Sequence, residues 1–119
     1  MNTITPEMVC EAFAKTNLKP IRWDWHKAVD PNAPDDPRLC GCALTALLGA
    51  SGYPIDLMTS ITIVTYAEDQ LGCGPLYTRG FHCGWDGAVK LPSGSDYDRY
   101  ERFRMGYDDG ARAWEAMTT

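Results

Sequence analysis

Apolar positions at the start of the chain recur with the period of a helix. Val9 and Phe13 lie four apart and share a face. Thr5 is a side-chain cap, and Pro6 suits the first helical position, where its missing N–H has no partner to lose. Ile4, just before the cap, packs on Val9 as a hydrophobic staple. Asn17 tolerates the left-handed conformation that ends a helix, with Leu18 folding back behind it. A helix over 6–16 follows. Lys19 to Trp25 is too polar and too short for another helix and reads as a short extended segment near 20–25. Asp30 to Pro37 holds three prolines and three aspartates and reads as a loop. It lacks the sixth-position Gly and twelfth-position Glu of an EF-hand, so it is no such calcium loop.

Leu39 to Ala50 is apolar or small on every side, with no polar stripe. With Asp36 as cap and Pro37 in the first turn, it predicts a central buried helix over 37–50, stopped at Gly52-Tyr53-Pro54. The β-branched run at 61–66 is compatible with a strand. Leu57, Ile61, Val64 and Leu71 nevertheless fit a helical face, and Gly72 ends it, so a helix over 58–71 is predicted. Gly74-Pro75 opens a helix over 75–86 that closes at Gly87. Ser95, with Asp98 at the third position, caps a last helix over 95–118. Its seam is Tyr100, Phe103, Tyr107, Gly110, Trp114 and Met117, at heptad steps. Its opposite face carries Asp98–Arg102 and Asp108–Arg112 at i, i+4.

Two segments stand out against this pattern. Gly80-Phe81-His82-Cys83-Gly84 and Gly106-Tyr107-Asp108-Asp109-Gly110 each place two glycines four apart inside a predicted helix. Each such Gly costs about 0.8–1 kcal/mol relative to Ala. Close approach of a second backbone offsets that cost. Gly80, Gly84, Gly106 and Gly110 therefore mark a crossing of the last two helices. The loop between them, 87–94, is short, which predicts antiparallel neighbours. The whole chain reads as one all-α domain, a bundle of about five helices over 1–119.

Composition changes this picture little. At 119 residues, 45% hydrophobic and 23% charged, the chain suits one globular domain with a real core. A net charge of −5 disfavours a nucleic-acid face. The cluster Arg99, Arg102 and Arg104 is interleaved with Asp98 and Glu101 and reads as a salt-bridged helix face. The first residues have neither basic nor apolar regions of a signal peptide. No apolar run approaches a membrane span. The expectation is a cytoplasmic protein without membrane or nucleic-acid partners. Its five cysteines, Cys10, Cys40, Cys42, Cys73 and Cys83, are expected to be reduced.

Four segments carry a resemblance. They are Lys15-Thr16-Asn17-Leu18-Lys19-Pro20, Cys40-Gly41-Cys42-Ala43-Leu44-Thr45-Ala46-Leu47, Gly80-Phe81-x-x-Gly84-Trp85-Asp86-Gly87 and Gly106-Tyr107-x-x-Gly110. In this order they resemble a small, uncharacterised bacterial family of single-domain helical proteins. The resemblance implies a helical domain and brings no activity, cofactor or catalytic residue.

Candidate chemistry is sparse. Cys40, Cys42, Cys73, His82 and Cys83 are potential zinc ligands, but no C-x₂-C pair is present. On a regular helix Cys40 and Cys42 would point about 200° apart. Small buried thiols are the simpler reading, and no metal or cofactor is expected. A nucleophilic Cys40 near a helix start, with His26 or His82 as base and Asp86 orienting it, is the enzyme alternative. The pairs Asp35-Asp36 and Asp108-Asp109 have structural explanations at helix ends and on a polar face. Trp23, Trp25, His26 and Trp85 are candidates for a pocket or partner surface, and also natural core fillers. The expectation is a non-enzymatic helical domain that binds a protein partner or itself, as a homodimer. The alternative is a small cysteine- or zinc-dependent enzyme.

Overall fold

The computed structural model describes residues 3–20, 26–28, 39–55, 60–87 and 100–118. Five helices are described: α1 (Pro6–Thr16), α2 (Ala43–Ala50), α3 (Ser60–Gln70), α4 (Pro75–Asp86) and α5 (Glu101–Thr118). Three very short strands accompany them: β1 (Lys19–Pro20), β2 (His26–Ala28) and β3 (Leu39–Gly41). The protein is an all-α domain with this small sheet attached. Buried residues from all five helices, among them Val9, Leu44, Ile63, Phe81 and Ala113, form one core.

α1 is built as its sequence dictates. The Thr5 side chain accepts a hydrogen bond from the Met8 amide at 3.3 Å. Met8 Sδ accepts in return from the Thr5 amide, filling the place that Glu or Gln takes in the usual capping box. Asn17 ends the helix with φ 60°, and Leu18 is buried behind it. The segment near 57–71, open to strand or helix, is helical: Ile63, Ala67 and Leu71 are buried at four-residue steps. Leu57 lies outside the described residues.

The expected helix over 37–50 is shorter than the apolar run. Leu39–Gly41 is the central strand of the sheet, in the order β1-β3-β2. It pairs in parallel with β1, Lys19 opposite Cys40, and antiparallel with β2, Lys27 opposite Cys40. Pro20, which cannot donate to a ladder, sits on an edge strand. Cys42 is the N-cap, with extended backbone at φ −78° and ψ 170°, and α2 starts at Ala43. A three-residue apolar run satisfies a central strand as well as a buried helix turn, so its pattern does not separate them. From Ala43 to Leu48 every residue of α2 is buried, as the absent polar stripe requires. The Asp36-Pro37 cap lies outside the described residues. The extended segment near 20–25 falls between β1 and β2, and its residues 21–25 lie outside as well.

α4 and α5 form the closest helix pair. A methyl built on Gly80 would fall on the carbonyl oxygen of Phe103, and one on Gly84 on that of Tyr107. Reciprocally, methyls on Gly106 and Gly110 would fall on the carbonyls of Tyr77 and Phe81. None of the four has a positive φ, so close approach alone explains glycine there.

The direction of the crossing corrects the expectation. Contacts advance together along both helices, from Tyr77–Gly106 to Phe81–Gly110, so α4 and α5 are parallel. The 12 residues of α4 cover about 18 Å. Residues 87–100, at roughly 3.3 Å each, are long enough to return that distance. α5 also starts later than expected. The Tyr100 carbonyl accepts the first helical bond, from Arg104, and Glu101 opens the helix. Ser95 and Asp98, the expected cap and the expected partner of Arg102, lie outside the described residues.

Candidate functional site

The glycine crossing also determines which α5 side chains point inward. Phe103, Gly106, Gly110 and Ala113 are its buried residues, while Tyr100 is exposed and Tyr107 half-buried. The buried face thus keeps Phe103 and Gly110 of the expected seam and adds Gly106 and Ala113 beside them. Trp114 and Met117 of the expected seam still pack against the core, while Tyr100 is exposed.

Beside the crossing lies a polar relay. The Ile4 amide donates to Tyr77 Oη at 2.7 Å, and that hydroxyl donates to Asp109 Oδ2 at 2.5 Å. Asp109 Oδ1 accepts from Arg112 Nη1 at 2.9 Å. Arg112 therefore pairs at i, i+3 with Asp109, whereas Asp108 was its expected partner. Arg102 lays its guanidinium 4.8 Å from the Tyr77 ring centroid and donates to the Cys73 carbonyl at 2.9 Å. It turns inward, where a solvated salt-bridged face was expected. Burial, reinforced by the bond to Asp109, pushes the Tyr77 hydroxyl well above its ordinary pKa. The relay ties the N-terminal segment to α4 and α5.

A second polar group lies between α2 and α4. His82 Nε2 is 3.2 Å from Asp86 Oδ2, one helical turn on, and Asp86 is buried. Burial lowers the His82 pKa, against the opposing pull of Asp86. Cys42, the N-cap of α2, has its Sγ 3.3 Å from Thr45 Oγ1, and both are completely buried. Burial pushes the Cys42 thiol up to about 11, with the Asp86 charge adding to it and bonds from Thr45 opposing. At that value almost no thiolate exists near neutrality.

The remaining candidates scatter. Cys40 lies in β3 and His26 in β2. Cys73 is buried between α3 and α4, Cys83 is half-buried on α4, and Cys10 is exposed on α1. Burial raises the Cys73 thiol, against the pull of Arg102. Among the described residues no three His, Cys, Asp or Glu side chains converge to hold a metal. Trp85 is buried, stacked on Phe13 at 5.7 Å and edge-on to Trp114 at 5.0 Å. It fills the core. Trp23 and Trp25 lie outside the described residues.

A surface groove of about 250 Å³ runs between α1 and α2. Met8 and Ala12 of α1 and Leu47 and Ala50 of α2 make its apolar floor; Glu11, Lys15 and Ser51 make its rim. Sequence reading missed this groove, because it forms only where two helices meet. Among the described residues, no helix is long and apolar enough to cross a membrane. No protein-family profile, curated protein or solved structure matches the chain.

Proposed function

We propose that this protein is a non-enzymatic helical domain that works by protein–protein contact, with the α1–α2 groove as its contact face. The groove carries this reading. Its floor leaves Met8 and Ala50 partly exposed over the buried Ala12 and Leu47, and its rim supplies charge and a hydroxyl for orientation. The cysteine-enzyme alternative gains one element, the His82–Asp86 pair. Its neighbouring thiol, Cys42, is enclosed and protonated, which is the reverse of what a nucleophile needs.

A photoreactive amino acid in place of Ser51 tests the proposal in cells producing the protein. Discrete crosslinked species are expected from Ser51, at the groove rim, and not from Arg79, exposed on α4. Ala50→Arg should abolish them by placing a charge on the apolar floor. No adduct at Ser51, or equal adducts at Arg79, contradicts the proposal.

A further inference from the structure

The edge of this groove carries a charge pattern matched to a second copy of itself, and the inference drawn from it rests on reading the groove as a protein contact face. Glu7, Glu11 and Lys15 stand four apart along α1, and Lys19 follows at the same spacing just beyond it. All four are exposed. Among the described residues none of them forms an ion pair, although Glu11 and Lys15 are spaced to pair on one helix. Along α1 the row therefore runs acidic, acidic, basic, with its charges unspent, while Lys19 lies past the Asn17 turn in β1.

A half-turn about an axis midway between Glu11 and Lys15 converts that row into its own complement. Glu11 of one protomer then meets Lys15 of its partner. Symmetry repeats the relation. This is the self-complementary face that a two-fold dimer requires. Met8 and Ala50, the partly exposed apolar residues of the groove floor, lie alongside the row and would be covered by the same approach. The chain as a whole carries −5, so two copies repel unless a locally balanced face meets its match.

We propose that a second copy of this chain docks antiparallel across the groove, α1 against α1, with the apolar floor as the contact and the Glu/Lys row setting its register. The groove is small, so the dimer is weak and dissociates on dilution.

Sedimentation equilibrium from low micromolar to near-millimolar concentration tests this, on the wild type and two charge variants. The wild type should dimerise reversibly, and added salt should weaken the dimer. Glu11→Lys sets Lys against Lys twice and should weaken it by roughly tenfold or more. Adding Lys15→Glu to that variant restores opposite charges at both places and should restore the dimer. The substituted residues are exposed, and matching thermal melts confirm that each variant folds. A wild type that stays monomeric throughout overturns the inference. So does a dimer indifferent to Glu11→Lys, or one that the double variant does not restore. None of these results decides the Ser51 crosslinking outcome, which tests the groove for any protein partner.

Discussion

The hydroxyl of Tyr77 lies 2.5 Å from a carboxylate oxygen of Asp109 and also accepts the amide of Ile4 at 2.7 Å. One buried oxygen thus joins α4, α5 and the N-terminal segment. Tyr77→Phe leaves the buried Ile4 amide without this acceptor and Asp109 without this donor. It should cost about 1–3 kcal/mol. Arg112, which is 66% exposed, holds the same carboxylate from the solvent side, and Arg112→Ala should cost less than about 1 kcal/mol. Urea titration compares the two. Equal losses contradict the relay.

His82 makes stability depend on pH in a definite direction. Its folded pKa lies below the ordinary 6.5 because burial disfavours the charged ring. As pH falls through 6.5 the unfolded chain takes up a proton there before the folded protein does. Stability is therefore fully present above 6.5 and declines as pH falls toward the folded pKa. His82→Gln keeps a donor beside Asp86 and removes this titration. Its stability should fall less steeply than that of the wild type below pH 6.5. Parallel curves from urea midpoints at several pH values contradict the assignment.

The thiols should separate by burial. Cys10 is exposed, whereas Cys42 and Cys73 are buried with raised pKa values. Alkylation at pH 7, mapped by mass spectrometry, should modify Cys10 rapidly. Cys42 and Cys73 should react only after denaturant is added. Cys42 labelled as fast as Cys10 in the folded protein would reopen thiol chemistry at the His82–Asp86 pair.

Local signals were legible where one residue type has one good physical use. Thr5-Pro6 caps α1, Asn17 ends it, and the missing polar stripe of Ala43–Leu48 marks a helix buried all round. The glycine pairs announced a close crossing because nothing else compensates for glycine within a helix. Their direction was not legible. Antiparallel and parallel crossings need the same four glycines, and the length of the connection was judged from a helix start at Ser95, where α5 begins at Glu101. Leu39–Gly41 was misread because a short apolar run fits a central strand and a buried helix equally. The Tyr77 relay and the groove depend on residues far apart in the chain. No spacing rule reaches them.

The parallel backbone crossing of α4 and α5 organises the rest of the protein, and Gly84→Ala and Gly110→Ala test it most directly. On an open helix face each substitution would stabilise by roughly 0.4–1 kcal/mol. Here the added methyl falls on the Tyr107 or Phe81 carbonyl, so the helices must part. Neither glycine has a positive φ, so a loss cannot come from a strained left-handed backbone. Unfolding free energies from denaturant titration should fall by about 1–3 kcal/mol or more for each variant. A gain in stability at both positions would contradict the crossing.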